Sequence, residues 1–426
     1  MNKNFVYLSI SNKLMYFLSA KPLIRSIFLR VFSCFVLTCF VNILSAQTGS
    51  ISGKLSKAGD IPLSQTHVFL ANTTLSTQTD EKGFYSLKNI PEGNYILSAF
   101  VWGSELYQQN IMVRSGSINA DISLKPITAL TASKAGENEK KSVEQFLKTF
   151  GKRRKDVKLL NPAALRVTTK GTLLEASSDD ILNLQNDYLG YETKLLLEKY
   201  VEELSVNEDQ PNNGLDGYEG IISYAELKGS STDQKRWQTN RLKAYQGSAL
   251  HFYRSLIAND LKKQGFSIYP LVSKLNSKRE SDSLINSKIL LFENPASGKN
   301  RNDSLKFWRG QREIPKYNHV LYPDSVKTSE LITRDSAGLY VLKYPYKLYV
   351  KYIHPDNEMT AMSNNALLDF HRSVSELSIA VELRDHSLVI DQNGNVLEPE
   401  RVKYEGGWSP KIAEMLPLNY NPEDSR

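Results

Sequence analysis

Six histidines are the natural starting point, because imidazole is the commonest general base and the commonest metal ligand. They are His67, His251, His319, His354, His371 and His386. A zinc peptidase needs two or three closely placed N or O ligands, usually His with a nearby Glu, and an open position for water. None of the six falls in a His-x-x-Glu or His-Glu-x-x-His spacing. His354 and Glu358 are four apart, but Pro355 breaks the helix that would align them. That stretch reads as a polar loop. Asp80-Glu81 is one turn, too few oxygens for calcium, which takes 6–8. There is no Gly-x-Ser-x-Gly elbow, no Gly-x-Gly-x-x-Gly and no Walker pattern. The expectation is a chain with no catalytic residue, no metal and no cofactor.

One stripe could bind. Asn240, Gly247, His251 and Arg254 recur at spacings of seven, four and three, with Arg241 and Ser248 beside them. On a continuous helix this is one face, and Gly247 would let another backbone or a ligand come close. Asn240, Arg241, His251 and Arg254 are therefore the candidate ligand-binding residues, suited to a carboxylate, a phosphate or an anionic sugar. In a plainer reading, the arginines pair with acids of their own domain and His251 simply packs. The tyrosines Tyr340, Tyr344, Tyr346, Tyr349 and Tyr352 could stack sugars. Their alternation favours packing on a sheet.

The stripe needs a helix under it. Thr232 to Lys263 reads as one long helix, because Tyr245, Ala249, Phe252, Tyr253, Leu256 and Ile257 recur at helical spacing before Gly265. A shorter helix is expected from Val143 to Phe150. Tyr191–Leu204 leans to strand, as do Tyr346–Tyr352 and Leu377–Leu383. Leu388–Leu397 reads as a hairpin turning on Asn393-Gly394. Residues 143–426 thus form an α+β domain, reached through a solvated linker at 127–142 rich in Ala, Ser, Lys and Glu.

The block in front is different. Seven short strand signals run from Gly49 to Leu124, separated by turns such as Asp80-Glu81-Lys82-Gly83 and Pro91-Glu92-Gly93-Asn94. That pattern predicts a β-sandwich or barrel over residues 47–126. Ile51-Ser52-Gly53, Ile61-Pro62-Leu63, His67-Val68-Phe69-Leu70, Thr79-Asp80-Glu81-Lys82-Gly83-Phe84 and Ile90-Pro91-Glu92-Gly93-Asn94-Tyr95 occur in order. This set resembles the carboxypeptidase regulatory-like domain, which implies a transthyretin-like Greek-key sandwich of about seven strands. The family position before Val68 is commonly small, and here it is His67. In that family the module is an accessory beside the enzyme, so the resemblance implies no peptidase chemistry. Trp237 to Leu256, Gly407-Trp408 and Met415-Leu416-Pro417-Leu418-Asn419-Tyr420 resemble the C-terminal part of exported bacterial proteins that carry this module in front. That resemblance implies architecture and no activity.

Residues 1–46 read as a secretory signal. Lys3, Lys13, Lys21 and Arg25 precede an apolar run that closes on Leu44-Ser45-Ala46. Translation could begin at Met1 or Met15. Both cysteines, Cys34 and Cys39, lie inside this leader, so the mature chain has no thiol. The leader also holds five basic residues and no acid, which reduces the formal +7 of the whole chain to +2. That balance does not suggest nucleic acid, and no later segment is apolar enough to span a membrane as a helix. The sequence predicts a non-catalytic protein of the cell envelope, in the periplasm or at the outer-membrane surface. Its partner would be an unknown envelope protein or a glycan. The module resemblance adds a receptor-associated setting by analogy only. The alternatives are a carbohydrate-binding protein, and a hydrolase with its site on the helix 232–263.

Overall fold

The computed structural model describes residues 48–101, 103–126, 143–144, 146–147, 154–170, 173–203, 215–293, 301–354, 378–406, 408 and 412–425. The expected leader, its cleavage after Ala46, the linker 127–142, His371 and the loop beyond His354 lie outside these residues. Only part of the helix expected at 143–150 is described, and there Phe146 is fully buried.

Nine strands build the front block. They are β1 (Thr48–Lys57), β2 (Ile61–Pro62), β3 (His67–Leu70), β4 (Ser76–Gln78), β5 (Phe84–Pro91), β6 (Gly93–Ala99), β7 (Tyr107–Val113), β8 (Gly116–Asn119) and β9 (Ile122–Leu124). They form two sheets, one ordered β2-β1-β5 with β8 and β9 also on β1, the other β4-β3-β6-β7. Inward residues alternate along β1, as a pleated strand with one wet face requires. Ile51, Leu55, Leu97, Val113 and Ile122 meet in the core between the sheets. The sandwich expected from the turns is therefore present. It is not purely antiparallel, because β8 and β9 run parallel to β1. β8 and β9 are separated at Ala120, whose N–H donates to the Ser52 carbonyl.

β10 (Val157–Leu159), β11 (Leu165–Lys170), β12 (Leu173–Ser178), β13 (Leu182–Asn186), β14 (Tyr191–Glu203) and β15 (Leu215–Glu226) form a six-stranded sheet. β14 is the organiser. β13 and β12 pair with its two halves on one edge, and β15 runs along the other. A register shift between Leu197 and Lys199 moves the buried phase from Tyr191, Leu195 and Leu197 to Tyr200 and Glu202. One extra residue turns every later side chain to the other face. The Glu202 carboxylate accepts a hydrogen bond from the Tyr200 hydroxyl at 2.7 Å.

Next come α1 (Ser231–Tyr245), α2 (Ala249–Ile257), β16 (Phe266–Leu275), α3 (Asp282–Glu293), α4 (Arg301–Glu313) and β17 (Tyr317–Leu321). α5 (Thr328–Leu331), β18 (Ile332–Arg334), β19 (Tyr340–Lys343), β20 (Lys347–Tyr352), β21 (Ser378–Leu383), β22 (Ser387–Ile390) and β23 (Val402–Gly406) follow. A five-stranded sheet, β17-β16-β20-β21-β23, and a three-stranded sheet, β18-β19-β22, share a second core with α2. The region read as α+β, with one domain or two left open, has two main cores among its described residues, one on β10–β15 and one around α2.

The helix expected across 232–263 is two helices. Gly247 takes φ +76, and Ser248 caps α2 by accepting the His251 N–H at 3.2 Å. The Gly247 carbonyl accepts from Trp408 Nε1 at 2.6 Å. A helix cannot run through such a residue. The Asn393-Gly394 hairpin is also built differently from expectation. The Gly394 N–H donates to the Asp391 carbonyl at 3.1 Å and Asp391 N–H to the Asn395 carbonyl at 2.9 Å, so the loop has three residues. Asp80–Phe84 and Asp335–Leu339 close with the same pair of bonds. In each, the carboxylate also accepts a backbone N–H four residues on.

The sandwich is bound to the six-stranded sheet by backbone. The Asn72 N–H donates to the Ile222 carbonyl and the Tyr224 N–H to the Thr73 carbonyl, at 2.6 and 3.0 Å. This covers the free edge of β15. Phe69 and Ala71 pack with Ile221 beside it. His67, the departure from the family pattern, bonds Ser223 Oγ through Nε2 at 3.1 Å. Burial lowers its pKa from 6.5 to about 4, and the positive charge of Lys194 adds to the effect. The unfolded chain binds a proton below about pH 6.5, whereas the folded one does so only near pH 4. This contribution to stability is complete above pH 6.5 and is lost as pH falls towards 4, by at most about 3 kcal/mol. Burial lowers His251 as well, with the same sign. Asp391 is raised by burial and opposes them. The urea midpoint is expected to fall between pH 7 and 4.5, and His67→Gln should flatten that fall. Equal pH dependence in both proteins would contradict the assignment.

Candidate functional site

α1 begins with a reciprocal cap. Ser230 Oγ accepts the Asp233 N–H, and the Asp233 carboxylate accepts the Ser230 N–H. From there α1 is stapled to the turn between β13 and β14. Trp237 Nε1 donates to the Asp187 carbonyl at 3.0 Å and Asn240 Nδ2 to the Tyr188 carbonyl at 2.9 Å. Arg241 follows on the same side. Its Nε donates to the Leu189 carbonyl at 2.8 Å and its Nη2 to the Gly190 carbonyl at 3.1 Å. Its Nη1 meets Glu226 Oε1 at 2.8 Å, and its guanidinium lies 4.0 Å from the Tyr191 ring centroid.

The break at Gly247 separates the rest of the stripe. His251 Nδ1 accepts the Gly247 N–H at 3.1 Å, so Nε2 carries the proton and faces Gln264 Oε1 at 3.2 Å. Tyr245, Phe266 and Tyr352 surround the ring. Burial keeps it below the ordinary imidazole value and neutral. Arg254 donates from Nε to the Asn393 carbonyl, from Nη1 to Tyr420 and from Nη2 to Leu418, at 2.9, 2.8 and 3.0 Å. Asn240, Arg241, His251 and Arg254 therefore do not share one face. Asn240, Arg241 and Arg254 are each held by backbone carbonyls, while His251 sits in an aromatic shell. The acids expected to pair with both arginines are reduced to one, Glu226.

Arg241 nonetheless reaches a concave site. A cleft of about 310 Å³ is lined by Tyr191 and Glu226 of the six-stranded sheet, Gln234, Gln238 and Arg241 of α1, Thr74 of the sandwich, and Pro417, Asn419, Tyr420 and Asn421 of the tail. The tail is fixed at its sandwich side. Thr74 N–H donates to Asn419 Oδ1 at 3.0 Å, Asn419 Nδ2 to Thr74 Oγ1 at 2.7 Å, and Leu418 N–H to the Asn72 carbonyl at 2.8 Å. The lining is polar with little net charge: four amides, of which Asn419 is spent on Thr74, an Arg–Glu pair that neutralises itself, and two tyrosines that are themselves buried, Tyr191 beneath the Arg241 guanidinium. Gln234, Gln238 and Arg241 lie at i, i+4 and i+7, a stripe visible in the sequence. The tail residues carry no comparable signal. His251 is not among the lining residues, so the convergence of Arg241, His251 and a carboxylate that a hydrolase would need does not occur there. Among the described residues, no three of His, Cys, Asp and Glu are placed to hold a metal. The tyrosine run splits. Tyr349 and Tyr352 are buried and Tyr346 is exposed, while Tyr344 meets Tyr346 edge-on at 77°, so the two do not form a flat platform.

Residues 51–132 match the model of the CarboxypepD_reg-like domain. No curated protein matches the chain. Among solved structures, a type II cohesin–X-dockerin complex from Acetivibrio cellulolyticus is 18% identical, over 18% of this chain and 56% of that one, with a TM-score of 0.17. The minor pilin GBS52 of Streptococcus agalactiae is 15% identical over 20% and 46%, with a TM-score of 0.17. A DUF3823 family protein from Bacteroides ovatus is 12% identical over 42% and 82%, with a TM-score of 0.16. The chain thus spans about half the length of the first two. Likenesses this low carry no weight for function. No helix among the described residues is long and apolar enough to cross a membrane, which leaves spanning by strands untouched.

Proposed function

We propose that this chain is an exported, non-catalytic binding protein of the bacterial cell envelope, and that the cleft beside Arg241 takes a neutral glycan. The observation that carries the reading is the chemistry of the lining. Gln234, Gln238, Asn419 and Asn421 stand around the Arg241–Glu226 pair and the Tyr191 and Tyr420 rings. Polyhydroxylated ligands are held by uncharged polar side chains of this kind, which can both donate and accept. Because Glu226 offsets Arg241, the site has no strong preference for a charged ligand. Export is supported by the leader pattern, with its basic start, apolar middle and Leu44-Ser45-Ala46 end. The front module supports a binding role without chemistry of its own.

The test is calorimetric titration of the chain lacking residues 1–46 with neutral oligosaccharides of glucose, mannose and N-acetylglucosamine, against a uronic-acid oligosaccharide as the charged control. Gln238→Ala keeps a good helix former at that position, and its unfolding midpoint is measured beside the wild type's to separate lost binding from lost folding. It should weaken binding about tenfold or more, the effect of one lost polar contact in a site. Unchanged binding by Gln238→Ala would remove the cleft from the reading. Cleavage of the glycan by the intact chain would remove the non-catalytic part.

A further inference from the structure

Twelve large apolar side chains are exposed among the described residues, and seven of them fall between Leu275 and Tyr322. Leu275 is 72% exposed, Leu290 70%, Phe307 56% and Leu291 52%. Three of these four sit on the helical pair α3–α4. An ordinary surface helix hides its apolar stripe. α4 buries none of its 13 residues, and its Phe307 and Trp308 rings meet edge-on at 5.2 Å. α3 buries Ile285 and Ile289 while leaving Leu290 and Leu291 outside, and polar groups add to the tie between the helices. Asp282 holds Arg279 at 2.6 Å and Lys316 at 2.7 Å, and Arg309 reaches Glu293 at 3.1 Å.

Charge gathers in the same place. Residues 274–316 contain ten basic and five acidic side chains, a net +5, while the remainder beyond residue 46 sums to −3. Arg309, Arg312 and Lys316 keep local partners. The surplus therefore acts as a field over the surface more than as a set of free donors. A plane of anionic headgroups responds to such a field, and exposed Leu and Phe beside it suit the boundary between headgroups and acyl chains.

We propose that the α3–α4 pair docks this protein on an anionic lipid surface. Leu290, Leu291 and Phe307 enter the headgroup boundary, and Lys288 and Lys306 face the phosphates. This surface is separate from the cleft, so either assignment can fail alone.

The experiment is co-sedimentation of the chain lacking residues 1–46 with vesicles of phosphatidylglycerol and phosphatidylcholine, against phosphatidylcholine alone. Binding is expected to be about tenfold or more tighter on the anionic vesicles and to weaken as salt rises. The double variant Phe307→Glu with Leu290→Glu should lose about tenfold while keeping the wild-type urea midpoint, since both sites are more than half exposed. Lys306→Glu should weaken anionic binding further without touching the apolar residues. Three results would overturn the proposal. They are no vesicle binding, equal binding to both lipids, or a wild-type dimer in lipid-free solution that the double variant converts to monomer.

Discussion

Arg254→Met is expected to cost about 4 kcal/mol of unfolding free energy, measured in urea. Arg254 has high leverage because its three bonds end on three separate backbone carbonyls. Asn393 belongs to the hairpin after β22, and Leu418 and Tyr420 belong to the tail. Its guanidinium also lies 5.7 Å from the Tyr245 ring centroid at the end of α1. Each hydrogen bond from a charged donor contributes about 1.5–3 kcal/mol, and the carbonyls left behind are partly buried. Methionine keeps the volume and removes every donor. Lysine should not rescue, since one ammonium cannot address three carbonyls fixed in a planar fork. The hairpin is further clasped to the sandwich through Asn393 Nδ2 to the Glu92 carbonyl at 2.6 Å, and through Asn94 N–H to Asp391 Oδ2 at 3.2 Å. Losing Arg254 therefore loosens the tail that walls the cleft. A loss below about 1 kcal/mol would show that these bonds are replaceable by water.

Gly247→Ala should also destabilise strongly, by about 3 kcal/mol. The residue takes φ +76, and an added Cβ would lie 2.6 Å from the Tyr352 ring. Left-handed backbone costs an L-residue about 1–2 kcal/mol, and the ring is fixed in the second core at 6% exposure. The sign of the result is what discriminates. If 232–263 were one continuous helix, alanine in place of an interior glycine would stabilise by about 1 kcal/mol. Thermal unfolding with far-ultraviolet dichroism separates the two outcomes.

Local physics made the front of the molecule legible. Ile51, Leu55, Val68 and Leu70 alternate or cluster as strand residues must, and they form the sandwich core. Asp80 and Gly83 announced a turn that the structure closes with the same bonds at Asp335 and Asp391. Tyr191–Leu204 leans to strand because Tyr191, Thr193, Leu195 and Leu197 share a face, and the described part, Tyr191–Glu203, is β14. The helix failed at Gly247, where apolar residues at helical spacing on both sides masked a break that Trp408 and Tyr352 enforce from far along the chain. The candidate stripe failed with it, since a spacing of seven across that break means nothing. The cleft was hidden for a similar reason. Thr74 and Asn419 are 345 positions apart, and no local pattern tells a side chain what will arrive from that distance. Arg241 stands out by its charge, and it lines the cleft. The amides beside it are common surface residues and carry no local signal.

Hydrogen–deuterium exchange with and without envelope glycan tests the reading most directly. Protection is expected in two segments at once, α1 from Gln234 to Arg241 and the tail from Pro417 to Asn421, with the strand Lys347–Tyr352 unchanged. Protection confined to the tyrosines around Tyr346, or none in either wall of the cleft at saturating glycan, would contradict it.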